Sequence, residues 1–347
     1  MKNLVIGDLH FGTKSNSAQW LDYQITFFKE QIFPVIEQNN FDRIIFLGDL
    51  TDIRWAIQQQ VGIELKKIVR KLARLVKTQN PDAKIVFIAG NHDYFSPIYE
   101  LQKYNSYEML FGEEFTQVHD NVIFVTTEPY LDEDDSLYLP WFFTEESELF
   151  SNVLYEYKNI KAIYCHTDLS GWDIGRMTAL RNVYVYAGHI HFEWSNKDYN
   201  LFNLGAAMAF NFNDLNQQRF IYVIEDGVIK ERIENVTTPD FKRIYNEQIF
   251  NDFDEDYFKN SYVQMMINKQ YINKANYIER IKELKHEFGE KYNLTIKIYD
   301  NEYEFDKMEF APIQTNINDY IDNNVPQHLE NKFNKVKEIL TNTEEDI

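Results

Sequence analysis

The chain has 347 residues, of which 44% are hydrophobic and 26% charged, a composition typical of a soluble globular protein with room for a catalytic core and one or two small accessory units. Its 35 Lys and Arg residues against 55 Asp and Glu residues give a net charge of −20, which repels nucleic acid at long range. The single cysteine excludes an intrachain disulfide, and no apolar run approaches the roughly 20 residues that would span a bilayer.

The N-terminal part alternates short apolar runs with amphipathic stretches. Leu4–Ile6, Ile44–Leu47 and Ile85–Ala89 are short, rich in β-branched residues and bounded by Gly or Asp, as buried strands are. Asp8 and His10 interrupt the first apolar run too early for a signal peptide, so we expect a cytoplasmic location. Helices are predicted between the strands, where apolar residues recur at spacings of four and three: Leu21, Ile25, Phe28, Ile32 and Val35, then Val61, Leu65, Ile68, Leu72 and Leu75. This alternation predicts βαβ units and a largely parallel sheet.

Shorter strands follow after about residue 115. The candidates are Ala162–Cys165, Val183–Ala187, Leu201–Leu204 and a hairpin at 219–233 whose turn is Glu225-Asp226-Gly227. A second sheet is therefore expected to pack on the first. The predicted fold is α/β, with a two-sheet β-sandwich flanked by helices over residues 1–240.

Two polar features of this region are expected to be structural. The acidic segment Asp132–Asp135 is expected to be a solvated turn and not a site. Cys165 lies in the apolar stretch AIYCH, which favours a buried core residue over a nucleophile.

The C-terminal part predicts a small α/β unit at 249–310 and a helical tail at 314–347. Tyr262–Ile267 and Leu294–Tyr299 are candidate strands, and the helix between them has the apolar face Ile278, Ile281, Leu284 and Phe288. A unit of this size is near the lower limit of independent stability, so it is expected to dock on the core. In the tail, Leu329, Phe333, Val336 and Leu340 form an apolar stripe that needs a surface to bury against.

Five segments with His, Asp or Asn follow predicted apolar strands. They are GDLH (7–10), GDLTD (48–52), GNHD (90–93), CHTD (165–168) and GHIH (188–191). Loops at the carboxyl ends of strands form the sites of open α/β sheets, so these segments are expected to converge. Imidazole and carboxylate together suit Mn, Fe or Zn, and a two-metal site needs a bridging carboxylate to activate water and hold a phosphate. Each segment alone is a weak signal, but the ordered set is specific.

With these segments the chain resembles the calcineurin-like metallophosphoesterase superfamily over roughly residues 1–235. The resemblance implies that Asp8, His10 and His191 hold one divalent metal and that Asn91, His166 and His189 hold the other, with Asp49 bridging the two. It also implies that His92 contacts the scissile phosphate and assists the leaving oxygen, with Asp93 orienting its ring. Mn²⁺ is the implied metal.

Further segments resemble the SbcD-type DNA nuclease branch, which includes the phage-type recombination endonuclease subunit. They are GDLTDIRWAI (48–57), LPWF (139–142), HTDLSGW (166–172) and NLGAAMAFNFND (203–214). The resemblance implies a nuclease for DNA end processing, recombination or repair, with a DNA-capping domain at 249–310. It implies that the tail at 314–347 docks on an SMC-like coiled-coil ATPase, and that two copies of the chain form a homodimer within a heterotetramer. Without such a partner, the tail would pack back on its own core.

Two departures from this branch leave questions open. Asp52 stands where many members have a histidine, which leaves the balance of exonuclease and endonuclease activity open. Gly205-Ala206-Ala207 replaces a Gly-Ser/Thr-Pro segment and loses a hydroxyl.

The net charge of −20 also has to be reconciled with a DNA substrate. Bound metals, a basic patch or the ATPase would have to supply the attraction. The candidate patch on the second helix is either a solvated face or a contact for DNA or a partner; it consists of Lys66, Lys67, Arg70, Lys71, Arg74 and Lys77.

Two alternatives to a nuclease are kept. A protein phosphatase or cyclic-nucleotide phosphodiesterase of the same superfamily is one, although phosphatases carry GNHE and an Arg after the second motif where this chain has Asp93 and Ile53. A catalytically silent scaffold for the ATPase is the other, although every expected metal ligand is present.

Overall fold

The computed structural model describes residues 1–52, 56–145, 147–157, 159–172, 179–289 and 291–300. The predicted tail at 314–347 and the last part of the predicted accessory unit, 301–310, lie outside the described residues. The strands of the described part form three sheets, two of six strands and one of three.

The first sheet is mostly parallel. Its strands are β1 Lys2–Ile6, β2 Arg43–Phe46, β3 Lys84–Ile88, β4 Val122–Val125, β11 Phe220–Glu225 and β12 Val228–Glu234. Their order is β12-β11-β1-β2-β3-β4, in which β1 to β4 are parallel, β11 is antiparallel to β1, and β11 and β12 form a hairpin. The predicted βαβ units and the hairpin are confirmed.

The second sheet has a parallel centre and antiparallel edges. Its strands are β5 Tyr130–Leu131, β6 Ser136–Leu139, β7 Ala162–His166, β8 Tyr184–Gly188, β9 Trp194–Asn196 and β10 Leu201–Asn203. Their order is β5-β6-β7-β8-β10-β9, with β6, β7, β8 and β10 parallel. The strands β5 and β9 close its edges in antiparallel pairing.

The two sheets pack face to face, which confirms the predicted sandwich. In β1, Val5 contributes to the layer between the sheets, whereas Leu4 and Ile6 contribute to the layer under the helices. The strand is thus buried on both faces, which is why its sequence is continuously apolar. The second sheet contributes stacked rings to the inner layer, with Tyr164 lying 5.3 Å from Tyr138 and 5.4 Å from Tyr186 between ring centroids.

Helices cover the outer faces of both sheets. They are α1 Ala18–Phe27, α2 Phe33–Gln38, α3 Gln59–Gln79, α4 Ser106–Leu110, α5 Gly112–Val118, α6 Phe142–Glu145 and α7 Ser147–Glu156. A π-helical turn, Phe28–Ile32, joins α1 to α2, so the first predicted helix is a continuous rod with an irregular centre. None of the helices in the described ranges is long and apolar enough to cross a membrane.

The third sheet consists of the parallel strands β13 Asp240–Tyr245, β14 Ser261–Asn268 and β15 Asn293–Tyr299. It begins ahead of the predicted start at 249, because the mixed run DFKRIY pairs with β14 as an edge strand. The helices of this unit are α8 Glu255–Phe258, α9 Lys269–Ile272 and α10 Ala275–Leu284. The unit has its own buried apolar cluster, which includes Met265, Ile281 and Leu284.

The acidic segment between β5 and β6 differs from the expectation of a solvated turn. The Asp132 side chain is only 1% exposed, and its carboxylate pairs with Arg43 at 2.5 Å and with Lys84 at 2.6 Å. Asp132 therefore links the second sheet to strands β2 and β3 of the first. Cys165 is fully buried in strand β7, as expected.

Candidate metal centre

The five motif segments meet at one end of the sandwich. Asp8 and His10 follow β1, Asp49 follows β2, and Asn91 and His92 follow β3. In the second sheet, His166 ends β7, and both His189 and His191 follow β8. These strands run parallel within each sheet, so their carboxyl ends lie together and bring all eight side chains into one cluster.

One side of the cluster contains Asp8, His10 and His191, whose ligand atoms all lie within 4.8 Å of one another. Nε2 of His10 faces Nε2 of His191 at 3.2 Å, and the latter lies 3.7 Å from Oδ2 of Asp8. Two imidazole nitrogens and a carboxylate oxygen thus point at a common centre, a donor set suited to a divalent transition metal.

The other side contains Asp49, His166 and His189, again within 4.8 Å of one another. The side-chain oxygen of Asn91 lies 3.0 Å from Nε2 of His166 and 3.0 Å from Nδ1 of His189. Oδ2 of Asp49 lies 3.3 Å from His166 and 3.7 Å from His10, so this carboxylate lies between the two groups.

The hydrogen bonds of His166 indicate that the cluster fits a cation. Its Nδ1 can only donate to the carbonyl oxygen of Leu47, at 2.9 Å, which leaves the lone pair of Nε2 facing the oxygens of Asn91 and Asp49. Facing acceptors repel unless a proton or a metal ion lies between them. Burial alone would lower the pKa of His166, but the carboxylates of Asp49 and Asp8 raise it to about 9. The oxygens around Nε2 therefore favour a positive charge at this position, as a bound cation would supply.

The pKa values of three other residues in the cluster also depend on burial and on the charges of their neighbours. Burial would raise the pKa of Asp49, but the neighbouring imidazoles of His166 and His10 lower it. Burial would lower the pKa of His10, but pairing with Asp52 and the charges of Asp49 and Asp8 raise it to about 9. Burial and the nearby charge of His10 lower the pKa of His191 well below its ordinary value. The lowered pKa values leave Asp49 as a carboxylate and His191 as a neutral imidazole, the forms that ligate metals, whereas His10 and His166 would release a proton on binding an ion.

His92 lies at the mouth of the cluster. Its side chain is 37% exposed, whereas those of Asp8, Asp49 and His166 are at most 3% exposed. Its Nδ1 donates to the carbonyl oxygen of Asp52 at 2.7 Å, so Nε2 is the ring atom left for a substrate. The ring packs edge-on against His10, with 4.9 Å between centroids.

The expected role of Asp93 is not the one that the structure shows. Its buried carboxylate accepts from the backbone N–H groups of Leu50, Thr51 and Gly90, and from the hydroxyls of Thr51, Ser106 and Tyr107. None of the hydrogen bonds between described residues joins it to the ring of His92. Asp93 therefore ties the second and third motif loops together, and the ring is held by another residue.

That residue is Asp52, which stands out in the sequence only as a departure from the family pattern. The backbone carbonyl oxygen of Asp52 accepts a hydrogen bond from Nδ1 of His92. Its carboxylate oxygen Oδ1 lies 3.2 Å from Nδ1 of His10 and 3.9 Å from Nδ1 of His92. A carboxylate behind a ligating imidazole fixes the orientation of the ring. The available signal was a second carboxylate three positions after Asp49 in the same motif.

Three residues of the cluster have left-handed backbones: His10 with φ 46°, Asp49 with φ 46° and His189 with φ 92°. Such conformations cost energy in non-glycine residues and concentrate at functional sites. At Gly90, a side-chain Cβ would lie 2.2 Å from Oδ1 of Asp49, so only glycine leaves room for that carboxylate.

Comparison with known proteins agrees with this geometry. The sequence model of the family described as calcineurin-like phosphoesterase matches residues 1–193, a range that includes all five motif segments. The hairpin β11–β12, which completes the first sheet, lies beyond the matched residues. No curated protein matches the sequence significantly.

Proposed function

The chain belongs to the calcineurin-like phosphoesterase family, which hydrolyses phosphoesters with the help of divalent metal ions, and from that premise we propose that it is a two-metal phosphodiesterase that cleaves DNA. The observation that carries the phosphodiesterase part is the position of Asp49, whose carboxylate lies between two groups of converging ligand atoms.

In this proposal the two sides of the cluster hold one ion each. Asp8, His10 and His191 would hold the first, Asn91, His166 and His189 would hold the second, and the carboxylate of Asp49 would be shared by both. The mixed nitrogen and oxygen donors support Mn²⁺ as the metal. When bound, the ions lower the pKa of water and neutralise charge on the phosphate oxygens.

The protein contributes the positions of the reacting groups. The exposed edge of His92 supports a contact with the phosphate, and a proton on Nε2 would pass to the departing oxygen. Asp52 keeps this ring in place from behind, through its carbonyl oxygen. The four deeper residues, Asp8, His10, Asp49 and His166, are nearly closed to solvent, so the substrate approaches from the His92 side.

The DNA part of the proposal is supported by sequence resemblance and by the position of the third sheet. Trp20, in the helix that follows the Asp8–His10 segment, stacks on Tyr262 of β14 at 5.6 Å and on Phe210 at 5.6 Å. Phe210 in turn packs on His10. An α/β unit this close to the site suits a cap over a long substrate better than it suits a small cyclic nucleotide.

The proposed partners follow from the same resemblance. We propose an SMC-like coiled-coil ATPase that binds the tail at 314–347, and a homodimer of this chain within a heterotetramer. A net charge of −20 opposes DNA binding, so such an ATPase would supply most of the DNA affinity.

The proposal is tested by comparing substrates. Linear duplex DNA, circular single-stranded DNA, a phosphopeptide and a cyclic nucleotide are each incubated with Mn²⁺ and either the wild-type chain or His92→Ala. We expect cleavage of DNA by the wild type alone, and cutting of the circle would indicate endonuclease activity.

The other outcomes separate the alternatives. Intact DNA with a hydrolysed phosphopeptide or cyclic nucleotide would replace the nuclease by a phosphatase or a small-molecule phosphodiesterase. No hydrolysis of any substrate under any metal condition would favour the scaffold.

A further inference from the structure

Arg219 is a buried arginine next to strand β11, and it lies against the loop that carries His191. Its guanidinium donates from Nη1 to the carbonyl oxygen of His191 and from Nη2 to Gln217 at 3.2 Å. Nη2 also pairs with Oδ1 of Asp214 at 2.7 Å, and the two side chains are 2% and 5% exposed. The guanidinium is therefore a fixed group directly behind one proposed metal ligand.

Asp214 connects this guanidinium to a second wall of the site. Its other oxygen, Oδ2, accepts from the backbone N–H groups of Phe210 at 2.7 Å and Asn211 at 3.0 Å. The ring of Phe210 lies edge-on to His10, with 5.0 Å between centroids, and is tilted against His191 at 5.4 Å. The ion pair thus holds the His191 backbone directly and holds the two imidazole rings through Phe210.

These contacts reach only one side of the metal centre. His10 and His191 belong to the group that also contains Asp8. The other side has its own supports, among them the hydrogen bond from His166 to Leu47. None of the hydrogen bonds of the described residues joins Arg219 or Asp214 to His166 or His189.

Stability alone is a poor explanation for this pair. The cost of removing two charges from water offsets most of their attraction, so apolar residues of the same volume would stabilise the fold as well. What apolar residues could not supply is a donor to the His191 carbonyl and an acceptor for the Phe210 N–H.

We propose that Arg219, held by Asp214, is a positioning residue that fixes His191 and Phe210 around the Asp8–His10–His191 metal site. The inference rests on the proposed function, because it needs these residues to ligate a metal.

The test is calorimetric titration of the full metal-free chain with Mn²⁺. The wild type is expected to bind two ions, and Arg219→Met is expected to weaken one of the two sites by about 10–100-fold while leaving the other unchanged. Arg219→Lys, which keeps the charge and one donor, is expected to recover part of the loss.

Two matched arginines control for general effects. Arg43→Met removes a buried ion pair at the opposite end of strand β2, and Arg232→Met removes an exposed pair with Glu193 next to the same loop. Both variants are expected to bind two ions as the wild type does. If Arg219→Met does not fold, as judged by circular dichroism, Asp214→Asn is titrated and the same one-site loss is expected.

The outcomes separate the inference from the function beneath it. Two wild-type ions with unchanged binding in Arg219→Met, or with equal loss at both sites, would overturn the positioning role alone. A wild type that binds no Mn²⁺ would overturn the proposed function and the inference together.

Discussion

His92 and Asp49 are joined by a backbone hydrogen bond, but their proposed roles differ: His92 contacts the substrate and Asp49 is a metal ligand. The backbone N–H of His92 donates to Oδ1 of Asp49 at 2.8 Å, and an alanine at position 92 keeps that donor. Only the imidazole is lost in His92→Ala. We therefore expect turnover on DNA to fall about 10²–10⁴-fold, the usual contribution of a positioned acid or base, with both Mn²⁺ ions still bound.

Turnover and calorimetry together check this prediction. His286→Ala, an exposed histidine in the third-sheet unit, is the matched control and should behave as the wild type. Full activity of His92→Ala would contradict the substrate role. Loss of an ion would instead make His92 a ligand, which its proximity to His10 and Asp49 also permits.

Asp49→Ala should have the opposite effect on metal binding. Its carboxylate reaches towards both His10 and His166, so its removal is expected to weaken both ion sites. Asn91→Ala removes an oxygen that faces His166 and His189 on one side of the cluster, and is expected to weaken one site. Titration with Mn²⁺ distinguishes the two. An Asp49→Ala chain that retains one ion at wild-type affinity would show that Asp49 is not shared.

The convergence of the eight motif residues could be predicted because each follows an apolar strand of a parallel sheet. The residues that Asp93 and Asp52 contact could not be predicted from the sequence. Which carboxylate faces His92 depends on loops whose backbones at His10 and Asp49 are left-handed, and sequence spacing does not reveal such conformations. Arg219 belongs to none of the sequence motifs, and only the fold brings its guanidinium to the carbonyl oxygen of His191.

At the scale of elements, the pairs of Asp132 with Arg43 and Lys84 join the two sheets. Burial alone would raise the pKa of Asp132, but its hydrogen bonds with Arg43 and Lys84 lower it from 3.8 to about 2. Because the folded-state pKa is lowered, the contribution is fully present above the unfolded-state value and is lost as the pH falls. We expect about 2 kcal/mol of the unfolding free energy to disappear between about pH 4 and pH 2 on account of this residue.

Urea unfolding as a function of pH checks this prediction. Asp132→Asn should be less stable than the wild type at pH 7, and the difference should shrink as the pH approaches 2. Asp135→Asn is the matched control, since the side chain of Asp135 pairs with Lys161 at the exposed surface and its replacement should change little. An equal gap between wild type and Asp132→Asn at every pH would exclude the ionic contribution.

The elements that the sequence predicted are the ones with strong periodicity. The sequence pattern predicts β1, β2, β3, β7, β8 and the long helix α3, and the structure contains all of them. The missed strands are short or at sheet edges, such as the two-residue β5 and the mixed run DFKRIY of β13, where half of the positions are charged or polar. Whether such a segment forms a strand depends on pairing with a neighbouring strand and not on its local sequence.

At the scale of the whole molecule, the net charge of −20 has to be reconciled with the proposed DNA substrate. The basic face of α3 is a weak candidate. Lys67 pairs with Glu64 at 2.7 Å, Lys77 pairs with Asp120, and Lys71 lies 4.1 Å above the ring of Phe33. Half of the six basic residues thus already have partners in the protein, as on an ordinary solvated face.

We therefore expect the isolated chain to bind duplex DNA only in the nonspecific range, with Kd of about 10⁻⁴–10⁻⁶ M at physiological salt. Fluorescence anisotropy with His92→Ala and Mn²⁺ measures this affinity without cleavage. Replacing Arg70 and Arg74 by Gln should leave the affinity and its salt dependence nearly unchanged, whereas removing a side chain that binds a DNA phosphate would lower the salt slope by about 1. Tight binding that disappears in this double variant would assign DNA attraction to α3. Weak binding by both the His92→Ala chain and the double variant would mean that the attraction for DNA comes from the ions at the site and from the proposed ATPase. This is the expected result, because the acidic remainder of the chain repels the substrate that the site is proposed to cut.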